Sequence, residues 1–316
     1  MKHRKNKKPR AARESFFLFL FLLLLYLSAL RVIDLLPASG AEATTVFSPV
    51  SESPPTLPLY PMPILIQSTA TTIRSKGLDL RGSAPKILIY HTHTTEAYTA
   101  TAESPYVQTG SYRTSDPGKS VLAVGEALAE RLRIQYGFSV IHDTTDHEPP
   151  SLKTAYSRSE KTMLDYLDRY PSLVLFIDIH RDASSDTRDY VMVDGKATAR
   201  LMCVVGQGTN YEDKPNFDVN YALASSLTEN LRHIEPRLAR DVRVKTGRYN
   251  QHIGQLCLLI EVGHNANTLE QALNAIPCLA ESLALALAKM PTADSATDEP
   301  SFARLLVPAG AGIDKG

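Results

Sequence analysis

The order of apolar runs along this chain predicts an α/β domain built on a mainly parallel mixed sheet with flanking helices. Three observations carry that expectation. The runs KILIY (86–90), LVLFIDI (173–179) and LCLLIEV (256–262) are almost entirely apolar, as expected of strands covered on both faces. Stretches with apolar residues at helical spacing alternate with them. Each of the three runs also leads into a cluster of His and acidic residues, where open α/β sheets gather their functional groups.

Taken in order, Lys86–Tyr90 is the first strand. Ser120–Tyr136 follows as a helix, with Val121, Val124, Leu128 and Leu132 on one face. Phe138–Ile141 reads as a short strand, and Tyr156–Leu167 as a helix closed by Tyr170-Pro171. Leu173–Ile179 is the central strand. Asp189–Val193 and Ala199–Val205 flank Asp194-Gly195, a strong hairpin signal, and are expected to give the sheet an antiparallel edge. Asn220–His233 is a helix, Leu256–Val262 a buried strand, and Thr268–Lys289 the last helix. Such alternation argues for one layered α/β domain over residues 85–290.

The remaining segments differ in composition. Between Lys2 and Arg13 there are 7 Lys or Arg residues and no acid, and Phe16–Leu30 then holds 15 residues without a charge. Val32–Leu36 continue the apolar length beyond Arg31, which can snorkel. This pattern predicts a cytoplasmic basic segment (1–15) and a transmembrane helix (16–37), placing the rest outside the cytoplasm in a single-pass cell-membrane topology. A cleaved secretory signal, with a cleavage site among Ala38–Ala43, is the alternative, and it exports the same residues. Residues 38–84, rich in Pro, Ser and Thr, are expected to be a disordered linker, and 291–316 a flexible tail.

With 34 basic and 34 acidic side chains, the formal net charge is zero, and nothing suggests a nucleic-acid partner. Cys203, Cys257 and Cys278 cannot all pair within the chain and lack metal-type spacing. They read as buried thiols, with a Cys203–Cys257 bridge open if their strands are neighbours.

The chemistry is concentrated at three strand ends. KILIY leads into His91-Thr92-His93-Thr94-Thr95-Glu96, LVLFIDI into His180-Arg181-Asp182 with Asp178 just before, and LCLLI into Glu261-Val262-Gly263-His264-Asn265. Catalytic zinc takes three His or carboxylate ligands and leaves one position for water. A carboxylate that is not a ligand then accepts the water's proton. Two His and one carboxylate from separate strand ends, plus a further Glu, meet those needs. The sequence has no GxSxG nucleophile elbow and no Cys beside a His at a strand end, so metal-assisted hydrolysis is the better-supported class. His-x-His could equally form a turn, and His180 a structural hydrogen bond. Glu261 is the most telling, because a carboxylate closing a buried aliphatic run is costly unless paired or metal-bound. His3, His142, His147, His233 and His252 are expected on surfaces or loops.

The segments ILIYHTHTTEAY (87–98), FIDIHRDA (176–183), RYNQ (248–251) and LIEVGHNANTLEQA (259–272) resemble the stage II sporulation protein P family, as do AYSRS (155–159) and CVVGQG (203–208). The similarity spans roughly residues 85–290. It implies an exported, zinc-dependent peptidoglycan hydrolase of zinc-amidase-like fold, with six mixed strands and flanking helices. It also implies N-acetylmuramoyl-L-alanine amidase activity, with endopeptidase activity as the alternative, acting during engulfment of the forespore. Carried onto this chain, His180 is a zinc ligand and Glu261 the catalytic base. The other His ligand is His93 (alternative His91), and the carboxylate ligand is Glu96 (alternative Asp116). Arg181 is the candidate oxyanion partner, unless it pairs with Asp182 or Asp178. His264 stands where the family pattern suggests a small residue. The resemblance further implies partners: peptidoglycan, a lytic transglycosylase of the stage II sporulation protein D type, and the membrane protein stage II sporulation protein M. A non-catalytic wall-binding protein of the same fold is the reading from another functional class.

Overall fold

The strand and helix signals above assemble around one six-stranded sheet. In a computed structural model of the chain, residues 78–183 and 189–290 are described. The expected basic segment, membrane helix and tail lie outside those residues, as does the linker up to residue 77. The strands are β1 (Ile87–Tyr90), β2 (Val140–His142), β3 (Leu175–Asp182), β4 (Tyr190–Val193), β5 (Lys196–Ala199), β6 (Leu201–Gly206), β7 (Arg243–Lys245) and β8 (Leu256–His264). The helices are α1 (Val121–Tyr136), α2 (Ala155–Arg169), α3 (Phe217–Ile234) and α4 (Leu269–Lys289).

The main sheet runs β2-β1-β3-β8-β6-β7. β2, β1, β3 and β8 are parallel, and β6 is antiparallel to β8 and parallel to β7. The mainly parallel mixed sheet thus matches the sequence expectation, with two differences. The Asp194-Gly195 turn, both residues at positive φ (48° and 74°), closes a separate two-stranded sheet of β4 and β5. β6 is a strand of its own and lies inside the sheet, where all six residues are buried. Its LMCVVG sequence is apolar on both faces, so it cannot serve as an edge. The edge on that side is β7, a three-residue exposed strand with no apolar signature.

Period-two alternation divides the layers. Ile87 and Ile89 of β1, Ile177 and Ile179 of β3, and Leu258, Ile260 and Val262 of β8 join one core with α1, α3 and α4. Leu88, Tyr90, Phe176 and Cys257 face the other way, against Met163 of α2. Leu80, within the stretch expected as linker, is 1% exposed and belongs to the larger core.

Helix ends follow their local chemistry. Ser120 Oγ caps α1 by accepting from Leu122 N, and Gly137 at φ 67° closes its far end. Thr268 and Gln271 form a capping box at α4. α4 is long and apolar enough to cross a bilayer, but 56% of its most apolar window is buried inside this domain, as a core helix requires. Cys203, Cys257 and Cys278 are all buried free thiols.

Candidate functional site

On the α2 side of the sheet, the apolar rows give way to polar ones at the carboxyl ends of β1, β3 and β8. β3 turns Phe176, Asp178 and His180 toward that side in succession, as alternation dictates. His180 then stands directly beside Glu261 of β8 in the parallel register. Glu96, on the loop after β1, brings Oε2 to 3.4 Å from His180 Nδ1. His93, from the same loop, packs its ring edge-on to His180 at 5.6 Å between centroids. The structure therefore brings together four of the residues singled out in the sequence: His93, Glu96, His180 and Glu261.

The alternatives go elsewhere, each for a visible reason. His91 continues the β1 alternation to the opposite face. Its Nδ1 lies 3.0 Å from Ile179 O and its Nε2 2.9 Å from His142 Nε2. It fits only because α1 has Gly125 there, where an added Cβ would fall 2.5 Å from His91 Nε2. Asp116 is exposed and caps a short turn, accepting from Gly118 N at 2.9 Å.

Arg181 is placed differently from His180. As the neighbour of His180 in a strand it faces the other side, and its guanidinium donates to Ala97 O and Tyr112 O, both at 2.9 Å. Asp182 pairs with Arg240, and Asp178 is taken by Thr92 and His180. His264 also has a local task, since its Nδ1 accepts from Ala266 N at 3.1 Å. The histidines expected on surfaces or loops include three that are built in. His142 lies 2.7 Å from Glu126 Oε2, and His252 lies 3.2 Å from Glu160 Oε1. His147 lies 2.7 Å from His91 O.

Other contributors surround these four. Glu148 approaches His93 Nδ1 to 3.4 Å and pairs with Arg113 at 2.5 Å. Both come from loops, so only the folded chain reveals them. Asp178 accepts from Thr92 N at 2.8 Å and Thr92 Oγ1 at 2.7 Å, and lies 2.9 Å from His180 Nε2. Tyr156, in the first turn of α2, meets His93 edge-on at 5.9 Å.

Electrostatics couple this set tightly. Burial alone would lower the His180 pKa, but Asp178 and Glu96 on either side outweigh it and hold the imidazole well above its ordinary value. In turn His180 keeps Glu96 and Asp178 below the usual carboxylate range despite their burial. Glu261 goes the other way. Burial, helped by the negative charge of Glu96, Asp182 and Asp178 and only partly offset by His180, pushes it from 4.5 up to about 8. Burial also raises the Tyr156 phenol, with Asp178 and Glu261 adding to the effect.

Three buried polar atoms of the site have no hydrogen-bond partner among the described residues: His93 Nδ1, His180 Nε2 and Glu261 Oε2. Glu148 and Asp178 stand near the two imidazole nitrogens, close enough for attraction but outside hydrogen-bond geometry. Orphaned buried polar atoms are rare enough to call for a missing group. Imidazole and carboxylate donors facing an excess of buried negative charge fit a divalent cation such as zinc. Among the described residues no three His, Cys, Asp or Glu side chains are closed into a ready-made cage. His180 faces Asp178 through Nε2 and Glu96 through Nδ1, so a cation at Nδ1 would replace the direct His180–Glu96 contact and leave Asp178 in place.

The family model described as Stage II sporulation protein P (SpoIIP) matches residues 48–284. The chain belongs to the stage II sporulation protein P family. It is 29% identical over 201 residues to the stage II sporulation protein P of Bacillus subtilis (strain 168), covering 60% of this chain. The matched region spans only about half, 48%, of that relative's length. Among solved structures it is similar to an N-acetylmuramoyl-L-alanine amidase from Clostridium difficile 630, at 14% identity and a TM-score of 0.39, covering 69% of this chain and 100% of that one. It is also similar to the catalytic domain of the amidase CwlV from Bacillus (Paenibacillus) polymyxa var. colistinus, at 14% identity and a TM-score of 0.37, covering 64% and 95%.

Proposed function

We propose that the chain is a zinc-dependent peptidoglycan hydrolase of sporulation that cleaves the amide joining the lactyl group of N-acetylmuramic acid to L-alanine. The observation that carries this reading is the His180–Glu261 pairing across β3 and β8, with Glu96 and His93 alongside and three buried polar atoms left without partners. Family membership supports the peptidoglycan hydrolase class. On this reading His93, Glu96 and His180 hold the metal, which supplies an acidified water and a polarised carbonyl.

The chain's own residues do the rest. Asp178, fixed by two bonds from Thr92, orients the His180 ring, and Glu148 does the same for His93. Glu261 takes the proton of the attacking water at its carboxylate and returns it to the leaving amine. A dication joining the site would lower the carboxyl's pKa from its raised metal-free value and favour the ionised form that accepts a proton. With Arg181 turned away, Tyr156 is the uncharged donor beside the site. Its phenol O–H is assigned to the oxygen that gains negative charge. The basic N-terminal segment and apolar run would tether this domain to the membrane beside its polymeric substrate, where partners of the stage II sporulation protein D and M types would act with it.

The test is digestion of purified peptidoglycan by the zinc-loaded chain, with product masses read by mass spectrometry. Free stem peptides beginning at L-alanine, lost on chelation and restored by zinc, are the expected result. Cleavage confined to peptide cross-links would make the enzyme an endopeptidase. Intact wall in the presence of stoichiometric bound zinc would overturn the catalytic reading.

A further inference from the structure

The turn Arg248-Tyr249-Asn250-Gln251 takes no part in the metal or proton chemistry, yet it is held from every side. Tyr249 and Asn250 are successive non-glycine residues in the left-handed region, at φ 52° and 54°. Backbone of that kind persists only where its surroundings impose it, and it clusters at binding sites. Asn250, 3% exposed, donates to Tyr156 O at 2.8 Å and Ser159 Oγ at 3.0 Å. Gln251 clamps the turn to β6, accepting from Gly206 N at 2.9 Å and donating to Val204 O at 2.8 Å. Arg248 lies 3.1 Å from Glu160 Oε1 and places its guanidinium 4.7 Å from the centre of the Tyr211 ring. A Cβ on Gly206 would lie 2.5 Å from Gly247 O, so β6 and the turn touch at backbone distance.

So much restraint fixes one group that the fold does not fully consume, the Tyr249 ring. Its body packs against Met202, Val204 and Leu259, and part of it stays open. It meets Tyr156 edge-on at 5.7 Å, and Tyr156 meets His93 edge-on at 5.9 Å. An aromatic path thus leads from His93 through Tyr156 to Tyr249, with the Arg248–Tyr211 pair next along the turn.

We propose that Tyr249, with Tyr156 on one side and Arg248 and Tyr211 on the other, forms the subsite for the amino-sugar ring on the glycan side of the scissile amide. This rests on the hydrolase reading above. A pyranose offers apolar C–H faces to aromatic rings and a rim of hydroxyl and acetamido groups to phenol and guanidinium donors, the mixture that lines small-ligand sites. Charge decides between the two halves of the substrate. Glu160 offsets Arg248, and Glu96, Asp178 and Glu261 lie along the rest of the path, so it offers an acidic stem peptide no net positive charge while a neutral sugar needs none.

The experiment uses the full chain, zinc-loaded in non-ionic detergent, and two substrates with the same scissile bond. One is a disaccharide-linked stem peptide, and the other is the same peptide carrying only the lactyl group. Replacing Tyr249→Leu keeps an apolar body against Met202 and Leu259. It should raise KM for the disaccharide substrate roughly tenfold more than for the lactyl-peptide, with Tyr249→Phe recovering most of the difference. Equal effects on the two substrates, or none, overturn the proposal and leave the hydrolase reading standing. If wild-type protein hydrolyses neither substrate, both fall. Should the Leu variant fail to fold, an uncleavable N-acetylglucosamine tetramer is titrated against wild type while tyrosine ring resonances are followed by NMR. Shifts in a small subset of the 14 tyrosines are expected, and no shifts would overturn the subsite.

Discussion

Replacing Glu261 with Gln tests the site through catalysis and through stability at once, in opposite directions. The carboxyl moves from 4.5 to about 8 because it is buried among Glu96, Asp182 and Asp178. At about 1.4 kcal/mol for each pH unit, the fold favours the protonated form by at most about 5 kcal/mol. The folded pKa is raised, so this contribution is fully present below pH 4.5. It is lost as pH rises through about 8, where the metal-free protein carries an ionised, uncompensated carboxylate. Gln has the same shape and no charge to lose. The metal-free Glu261→Gln chain should therefore match wild type near pH 4.5 and exceed its stability above pH 8, by roughly 2 kcal/mol after denatured-state and solvent compensation. Urea unfolding of EDTA-treated protein at a series of pH values reads this difference, and peptidoglycan digestion by the zinc-loaded protein should fall at least about 100-fold. Parallel stability curves for the two proteins would refute the buried-carboxyl argument. Retained hydrolysis would refute the assignment of the base.

Three further outcomes follow from contacts described above. Tyr156→Phe removes one hydroxyl and should lower kcat on the order of 10- to 100-fold, with KM changed far less and zinc content unaltered by metal analysis. Arg181→Met strips the buried Ala97 O of its side-chain donor and removes one of the two donors to Tyr112 O, which keeps its bond from Ala97 N. It should cost about 1–3 kcal/mol in urea unfolding and leave kcat per folded molecule intact, whereas a collapse of kcat would return Arg181 to the reaction. Gly125→Ala pushes a methyl against His91, 2.5 Å from Nε2, and should lower stability by about 1–3 kcal/mol through overpacking, as measured by thermal or urea unfolding.

What could be read from the residues in advance followed burial. β1, β3 and β8 are continuous apolar runs, and the helices carry their buried residues at regular spacing, so each appeared within a few residues of its observed span. β7, with three exposed residues and no pattern, could be recognised only once β6 offered it a partner. The face on which each site residue lies was encoded in the two-residue period. Even positions of β3 carry Asp178 and His180, and the odd Arg181 points to the opposite layer. That parity, a property of the strand alone, is enough to place the Arg181 side chain on the layer opposite His180. No such rule reaches Glu148 or Arg113, which arrive from loops, or Tyr249, whose position depends on the side-chain bonds of Asn250 and Gln251.

The proposed ligands and base are spread over strands that lie far apart along the chain, and the base is carried by β8, the last of the described strands. A chain emerging N-terminus first presents His93 and Glu96 early and His180 midway. Glu261 follows His180 by 81 residues, and α4, which contributes to the core behind β8, comes later still. Chain order thus works as a timer. A chain grown past His180 but short of β8 would carry the proposed metal donors without the proposed proton acceptor, so a hydrolase of this design would become competent only when β8 has docked.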